Sequence, residues 1–439
     1  MTSTLHELAT RKAMRRLLPL LGTAYFFSYI DRTNVALAKT QLEADVGISA
    51  AAYGLGAGLF FVSYALLEVP SNLVLYRVGA RIWIGRIAVT WGLVSAAMMF
   101  VQGPISFYVL RFLLGAAEAG LYPALMYLVT QWFAPKHRVR IVGLLYTAPA
   151  LAMIIGGPVG GGLMSLDGIG DLHGWQWMFL IEGLLTVVVG VVVWVLLPDT
   201  PSQARWLSDS EARELKTHAT AGDHSSPTRL RGNFRIAFGR PVILILAGVY
   251  FLNQIIASAV GFNLPSIIEG FGVNSPLVVG AITGSMGVAA LIGVFLLPWL
   301  HERTGNDTRL IIACAALTTI TLTGYSLFPG PMARLLFLFL TNIFLLGMLP
   351  LFWSVAMSRM SGLMAAAGLA FINMIGLLGG FVGPFAYGLL EGVGVIANPL
   401  FLLATCMAMV LFAILLAQLI RKEAPPSSTI TPATTKEIQ

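Results

Sequence analysis

The chain has 439 residues, of which 57% are hydrophobic and only 11% are charged, and its formal net charge is +7. Its mean hydropathy of +0.82 separates it from soluble domains, in which about 45–50% of residues are apolar and about 25% are charged. This composition excludes a soluble globular protein and indicates a chain embedded in a membrane.

Twelve apolar stretches, separated by charged or Gly/Pro-rich breaks, are long enough to cross a bilayer as helices of roughly 20 residues. In chain order they lie near residues 18–38, 52–74, 83–101, 107–131, 141–165, 176–197, 241–262, 276–300, 309–328, 334–357, 363–390 and 397–419. We therefore predict an all-α membrane protein with twelve transmembrane helices in two six-helix halves.

The first span carries Asp31 and Arg32 about two-thirds of the way along, and it lacks a small-residue cleavage site, so we do not interpret it as a removable signal peptide. An ionisable side chain at the bilayer centre costs roughly 2.5–3.5 kcal/mol on insertion scales, which makes each one a candidate functional residue. Adjacent helical residues point about 100° apart, so these two are expected to have different partners.

The fourth span holds Arg111 and Glu118, which are two helical turns apart on one face, about 10 Å along the axis. Burial favours the protonated form of a carboxylate and a nearby cation favours the ionised form, so Glu118 is a candidate for binding and releasing a proton. The alternative is a static ion pair that only fixes helix packing. Glu68 and Glu182 are predicted nearer span ends, where a purely structural role is equally compatible with the sequence.

Glycine-rich runs occupy corresponding positions in the two halves, IIGGPVGGG in the fifth span and GLLGGFVGP in the eleventh. Small residues allow close helix contact, and a proline within the run allows bending. A hinge in each half is the hypothesis, and ordinary close packing is the alternative.

Between the halves lies the only long hydrophilic segment, at residues 198–240. Within it, residues 206–216 (WLSDSEARELK) predict a surface helix, because Ser208 and Glu211 have the spacing of a capping box. Residues 217–233 predict a linker, and the tail at 421–439 has a disordered composition. The predicted domains are therefore 1–197, 198–240, 241–420 and 421–439.

The second half contains no acidic or basic residue deep within a span. An arginine such as Arg32 can bind a carboxylate through a planar fork of donors, which suggests an anionic substrate. Neutral hydrogen-bonding residues would complete the site, although each could equally bond a neighbouring helix: Asn253, Gln254, Ser354 and Asn373, with Tyr64 from the second span.

Basic residues also predict the orientation. Apart from Arg32, Lys39, Arg111 and Arg334, the Lys and Arg residues lie in or beside alternate loops. The positive-inside rule makes those loops cytoplasmic, together with both termini. The net positive charge therefore reflects the orientation of the chain in the membrane, and we expect no nucleic-acid partner.

Five segments carry a resemblance to a known family: SYIDRTNVAL, YGLGAGLFFVSYALLEVPSNL, FYVLRFLLGAAEAGLYP, IIGGPVGGGL, and GWQWMFLIEGL before LPDTPSQARWLS. Together they resemble the anion:cation symporter family of the major facilitator superfamily, nearest to the branch of tartrate, phthalate and 4-hydroxyphenylacetate permeases. The resemblance implies the major facilitator fold and proton-coupled uptake of a small organic carboxylate by alternating access.

Residue roles also follow from the resemblance. It implies that Asp31 and Glu118 are the proton-coupling sites, that Arg32 engages the substrate carboxylate, and that Arg111 modulates Glu118. It also implies that Tyr64 and Asn373 lie in the substrate cavity. Tyr29, Asn253 and Gln254 are further predicted substrate-binding residues that do not rest on the resemblance.

The loop after the second span departs from the superfamily pattern. Tyr76 stands where an aspartate usually precedes this loop, while Arg77, Gly79 and Arg81 keep the rest of a gating loop. Pro149 stands near a position that is polar in sugar-acid members, which argues against a polyhydroxylated sugar acid as the substrate.

Functions other than uptake are also compatible with parts of this sequence. A proton-coupled exporter of acids or drugs would share the fold, and a transporter-like receptor would bind without flux. A membrane enzyme is disfavoured because no HExxH motif, P-loop or intramembrane histidine occurs. We expect no cofactor and no metal, only a small organic anion, protons and lipid as partners, and a monomer in the inner membrane.

Overall fold

The computed structural model describes residues 2–220, 240–360, 362–394 and 396–423. Within these ranges the secondary structure is helical, joined by turns and short loops. Most of the predicted disordered tail (residues 424–439) and most of the predicted linker therefore lie outside the described residues, while residues 421–423 belong to the last described helix.

The chain up to the connector forms ten helices: α1 (Thr2–Leu37), α2 (Lys39–Val46), α3 (Ala50–Val78), α4 (Ala80–Ala97), α5 (Pro104–Glu118), α6 (Leu121–Trp132), α7 (Pro135–Leu145), α8 (Thr147–Met164), α9 (Gly174–Leu196) and α10 (Asp209–Thr220). Six more described helices follow: α11 (Pro241–Glu269), α12 (Pro276–Thr304), α13 (Asp307–Leu327), α14 (Pro331–Ser358), α15 (Gly362–Glu391) and α16 (Ala397–Glu423).

The predicted number of spans is confirmed. Among the described residues, eleven helical stretches are long and apolar enough to cross a membrane, and α1 supplies the twelfth. That helix is less apolar because it carries Asp31, Arg32 and several polar neighbours. The most charged spanning helix is therefore the one with the strongest functional candidates.

Two predicted spans are not single straight helices. The fourth consists of α5 and α6, because Ala119 is extended and Gly120 has a φ of 92°. Ser71 of α3 donates a hydrogen bond to the Ala119 carbonyl at 2.6 Å. A Cβ at Gly120 would lie only 2.1 Å from the Ser71 hydroxyl, so glycine permits both the turn and the contact. In the fifth span, the helix assignment is interrupted at Tyr146, between α7 and α8.

Local sequence explains the other helix boundaries. Four spanning helices, α5, α11, α12 and α14, begin with proline, whose missing N–H costs nothing in the first turn. Ser49 caps α3 by accepting from the Ala52 N–H at 3.3 Å, and Asn306 caps α13 in the same way. Gly305 ends α12 with a φ of 63°.

The first and last six spanning helices pack against each other mainly through α8 with α12 and α3 with α15. Glycine makes both crossings possible. A Cβ at Gly157 would lie 2.2 Å from the Gly280 carbonyl oxygen, and a Cβ at Gly54 would lie 2.3 Å from the Pro384 oxygen. The glycine-rich runs of the fifth and eleventh spans thus lie at close helix contacts.

These crossings lie toward one side of the bundle. We call the side near Arg77, Arg81 and α10 the basic face, and the other side the opposite face. At the opposite face, the Lys39 ammonium donates to the Asn263 amide oxygen at 2.8 Å and to the Glu391 carboxylate at 2.8 Å. The Lys39 side chain is only 3% exposed, so this contact is a buried polar interaction that joins the two halves at the opposite face.

The predicted connector helix is confirmed as α10, and its capping box forms. The Ser208 N–H donates to Glu211 at 2.9 Å, and the Ser208 hydroxyl accepts from the Glu211 N–H at 3.3 Å. The helix runs to Thr220, four residues into the predicted linker. Lys12 of α1 also donates to Glu211, and this contact, with the Ser208 N–H, holds the pKa of Glu211 below its usual range. The connector is therefore anchored to the first half.

Candidate functional site

Asp31 lies in a polar cluster between α1 and α4 and is 2% exposed. Its carboxylate accepts hydrogen bonds from the Trp91 indole N–H and the Ser95 hydroxyl. The Asn34 amide, one turn further along α1, donates to it at 3.1 Å. Burial favours a proton on this carboxylate while three donors favour its ionised form, so opposing effects meet at one group.

Glu182 of α9 belongs to the same cluster. The Asn34 amide nitrogen that reaches Asp31 also lies 3.0 Å from the Glu182 carboxylate. Glu182 is 2% exposed, so its carboxylate is buried among the helices. One amide therefore links two buried carboxylates, Asp31 of α1 and Glu182 of α9.

The guanidinium of Arg32 lies on the other face of α1 and pairs with Glu118, the last residue of α5. Its Nη2 lies 2.6 Å from Glu118 Oε1, and the side chains are 24% and 1% exposed respectively. The expectation that Asp31 and Arg32 have different partners is therefore confirmed. Among the described residues, Glu118 Oε2 has no hydrogen-bond partner.

Aromatic rings surround this ion pair. The Arg32 guanidinium carbon lies 4.8 Å from the Tyr29 ring centroid, 5.3 Å from Phe60 and 5.6 Å from Tyr64. Ring faces attract a guanidinium and fix its plane. The arginine is thus held in place from three sides while a quarter of its side chain stays accessible, which is what an anion-binding residue requires.

Arg111 lies close to the pair without bonding to it. It is 1% exposed, and it donates to the backbone carbonyls of Gly56 and Ala57 at 3.4 and 3.3 Å. Its guanidinium lies 5.1 Å from the Phe60 ring, whose other neighbour is Arg32. Arg111 can therefore act on the site as a buried fixed charge rather than as a direct partner of Glu118.

Further tyrosines gather near Arg32, and sequence reasoning missed them. The Tyr25 ring packs edge-on against Tyr29 at 5.4 Å and lies 5.9 Å from Tyr122. The Tyr122 and Tyr146 hydroxyls are 2.9 Å apart. The four-residue spacing of Tyr25 and Tyr29, which places both on one face of α1, was the available sequence signal.

The second half contributes Tyr250 of α11, which is close enough to Tyr29 and Arg32 to interact with them electrostatically. Its ring stacks on Phe352 with centroids 5.5 Å apart, and it lies 5.2 Å from the Trp353 centroid. A Cβ at Gly376 would lie 2.2 Å from the Tyr250 ring. The side of the site facing Arg32 is therefore aromatic.

The neutral amides predicted for the second half have different environments. Asn253 is fully buried and donates to the Leu345 carbonyl of α14 at 3.0 Å, an arrangement that supports the helix-packing alternative. Gln254 and Asn373 are half-buried, and Ser354 is exposed. A role in substrate binding stays a prediction for all four.

The predicted gating loop is tied to the end of the first half. The Arg81 N–H donates to the Asp199 carboxylate at 2.7 Å, and its guanidinium donates to the Trp194 carbonyl at 2.6 Å. Gly79 has a φ of 87°, and a Cβ there would lie 2.8 Å from the same carboxylate. Asp199, from the LPDTPS segment, thus provides a carboxylate beside this loop, where the superfamily pattern has an aspartate at the position of Tyr76. Arg77 lies exposed beside it.

Comparison with known proteins identifies the family. The profile described as Major Facilitator Superfamily matches residues 21–384. A quinolone resistance transporter of Acinetobacter baumannii is 40% identical, covering 92% of this chain and 93% of its own. A putative tartrate transporter of Agrobacterium vitis is 39% identical (88% and 89%). The inner membrane transport protein RhmT of Escherichia coli is 36% identical (88% and 89%).

Solved structures show the same fold. A bacterial homologue of the human lysosomal transporter Spinster, inward-facing and unoccupied, superposes with a TM-score of 0.76 at 17% identity, covering 93% of this chain and 98% of its own. A D-xylose-proton symporter superposes with a TM-score of 0.74 at 14% identity, covering 92% and 97%.

Proposed function

This chain belongs to the Major Facilitator Superfamily, a family of secondary transporters rather than enzymes, and we propose that it takes up a small organic carboxylate anion together with protons. The proposed location is the inner membrane, with both termini and the basic face in the cytoplasm. The observation that carries the proposal is the Arg32–Glu118 pair, a partly accessible arginine held by a buried carboxylate beneath three aromatic rings.

Coupling follows from competition for Arg32. While Glu118 is ionised, it occupies the guanidinium at 2.6 Å. A proton on Glu118 removes that negative charge, and the arginine can then pair with a substrate carboxylate through charge-assisted hydrogen bonds. Substrate and proton therefore favour each other's binding, because either one alone leaves an unbalanced buried charge in the site and the two together do not.

Asp31 is the second proton site in this proposal. An anion that enters against an inside-negative potential loses about 2.3 kcal/mol per charge per 100 mV. One proton makes the entry of a monoanion electroneutral, and a second makes it net positive, so the potential then drives accumulation. Glu118 and Asp31 together supply the two protons.

A proteoliposome assay tests the transport proposal. Vesicles loaded with a pH-sensitive dye should acidify inside when tartrate, phthalate or 4-hydroxyphenylacetate is added outside, and the labelled acid should accumulate. Empty vesicles and vesicles with an unrelated transporter are the controls. If none of these acids moves protons or accumulates under an imposed gradient, this substrate class is wrong.

Glu118→Gln should uncouple the substrate site from pH. Glutamine mimics the protonated acid, so Arg32 should stay available and the substrate affinity should become independent of pH between 5.5 and 8, instead of weakening as pH rises. We expect about a tenfold loss of pH-driven accumulation, the contribution of one proton across one pH unit. Binding to purified protein across that pH range measures the effect. A Gln variant that keeps the wild-type pH dependence would contradict the assignment.

Alternating access requires the opposite face to open and close, and Gly157 tests this. Overpacking a tight contact costs about 1–3 kcal/mol, so Gly157→Ala should disfavour the closed opposite face by about tenfold and slow uptake similarly. Gly261→Ala is the matched control, because a Cβ at Gly261 meets nothing within 4 Å. Equal uptake by both variants, at equal expression and monodispersity, would show that the α8–α12 contact does not limit transport.

Export by proton antiport is the second candidate. The aromatic surroundings of Arg32 and the 40% identity to a quinolone resistance transporter both favour it. Everted membrane vesicles separate the two directions, because an exporter accumulates its substrate in them when the interior is acidified. A transporter-like receptor would bind the acid in the same assay without any flux.

A further inference from the structure

Three of the six histidines of this chain lie together at the basic face, far from the Arg32 site. His6 comes from the start of α1, His137 from α7 and His218 from α10. The ring centroids of His6 and His218 are 4.1 Å apart, and those of His6 and His137 are 5.7 Å apart. Residues widely separated in the sequence thus place imidazoles at one point.

A carboxylate completes this group. Glu214 lies four residues before His218, on the same face of α10, and its carboxylate is 3.3 Å from the His218 Nε2. Ligand atoms of His6, Glu214 and His218 all lie within 4.8 Å of one another. Ligands around a tetrahedral Zn²⁺, at about 2.0–2.1 Å from the metal, are roughly 3.3 Å apart, so small side-chain movements would bring the three into contact with one ion.

The burial of His6 is a separate observation that points to a ligand. It is 2% exposed, and neither of its ring nitrogens has a hydrogen-bond partner among the described residues. A buried polar atom without a partner is costly. A neutral imidazole has one ring nitrogen with a free lone pair, and a metal ion would give the buried His6 ring the partner that it lacks.

We propose that His6, Glu214 and His218 form a binding site for a late first-row divalent cation, with Zn²⁺ as the best match. Two imidazoles and one carboxylate suit Zn²⁺ and its neighbours, whereas Mg²⁺ and Ca²⁺ prefer oxygen ligands alone. Water completes the coordination on the side of His218, whose side chain is 46% exposed. The sequence contained no metal motif because the ligands come from two distant segments.

Nearby charges leave these three ligands available. Glu7 is the other carboxylate beside the cluster, and its Oε1 accepts from the Lys136 ammonium at 2.8 Å and lies 3.5 Å from the His137 Nε2. Because Glu7 neutralises the charge of Lys136 in this ion pair, Lys136 repels a cation in the site less strongly.

A cation at this position would join the first spanning helix to the connector. α1 is continuous from His6 to Asp31, so the site lies about 38 Å along the helix from the proposed proton site. Binding would fix α10 against the first half, and by mass action it would stabilise the folded protein.

Metal binding to the purified full-length protein tests the proposal. The protein should carry a removable tag without histidines and be freed of metal by chelation before titration with Zn²⁺. We expect one Zn²⁺ per chain by elemental analysis, and a rise in the melting temperature on its addition. Co²⁺ at the same site should give visible absorption bands typical of a nitrogen- and oxygen-ligated ion.

Single substitutions identify the ligands. His218→Gln and Glu214→Gln change accessible side chains on α10 and should fold normally, yet each should weaken Zn²⁺ binding at least tenfold; His6→Gln should do the same. His301→Gln is the matched control, because the His301 ring lies 2.7 Å from the Asp307 carboxylate elsewhere on the chain. This substitution should leave Zn²⁺ binding unchanged. The site is disproved if the wild type binds no Zn²⁺, if the α10 variants bind it normally, or if only the control loses it.

Discussion

Asp31→Asn should abolish nearly all proton-driven accumulation of substrate while leaving substrate exchange intact. Asparagine keeps the shape of the side chain and an oxygen that can accept from the Trp91 indole, but it cannot bind and release a proton. The cycle can then carry substrate across in both directions without the proton that Asp31 supplies. Counterflow, which needs no driving force, should therefore continue in the same proteoliposomes.

The size of this effect follows from the lost proton. Moving one proton through 100 mV and one pH unit yields together about 3.7 kcal/mol. Its loss should lower the accumulation ratio on the order of 500-fold, which makes Asp31 one of the two most sensitive positions in the chain. Radiolabelled substrate measured at steady state, with and without the imposed gradient, gives this ratio directly.

Asp45→Asn is the matched control for Asp31. The Asp45 carboxylate also accepts a hydrogen bond from an indole N–H, that of Trp175 at 2.9 Å, but it lies outside the spanning helices. The same substitution in a similar contact should leave the accumulation ratio unchanged. Normal accumulation by Asp31→Asn, or an equal loss in Asp45→Asn, would remove Asp31 from the coupling mechanism.

Much of the proposed site could be predicted because charge inside a bilayer is expensive. That cost singles out Asp31, Arg32, Arg111 and Glu118 without any structure. It does not determine how they pair. The spacing placed Arg111 and Glu118 on one face of a single helix, and the family resemblance implied that Arg111 modulates Glu118. The structure pairs Glu118 with Arg32 across two helices, a contact that only tertiary packing determines.

Neutral residues of the site were harder to predict. Asn34, Trp91 and Ser95 surround Asp31, yet side chains of these types are common in any transmembrane helix and cost little there. Only Asn34 had a sequence signal, its three-residue spacing from Asp31 on the same helical face. The fold was more accessible, since twelve apolar stretches and their loops follow directly from the thickness of a bilayer.

The turn within the fourth span shows a different limit. Hydropathy treats residues 107–131 as one apolar stretch, and Gly120 does not by itself mark a break, because glycine is common within the spans of this chain. The turn depends on Ser71 from another helix. The Ser71 hydroxyl donates a hydrogen bond to the Ala119 carbonyl at the turn. This break makes Glu118 the last residue of α5, and the pair with Arg32 forms there.

Arg32→Lys should weaken substrate binding severely although it preserves the positive charge. Lysine lacks the planar fork that binds a carboxylate through two parallel hydrogen bonds, and it cannot stack on the rings of Tyr29 and Tyr64 in the same way. A hydrogen bond to a charged group contributes about 1.5–3 kcal/mol. We therefore expect KM for the transported acid to rise on the order of 100-fold, measured from initial rates of counterflow.

Arg86→Lys separates a role in the site from the general effect of losing a stacked arginine. The Arg86 guanidinium lies 3.9 Å from the Trp83 ring centroid and is half-buried in α4, so the same contact is lost away from the proposed substrate. That variant should keep the wild-type KM. If Arg32→Lys also kept it, charge alone would explain the site, and a less specific anion would fit it equally well. If KM rises in Arg32→Lys alone, the substrate group must have the geometry of a carboxylate. Only a planar anion binds more strongly to a fork of donors than to a point charge.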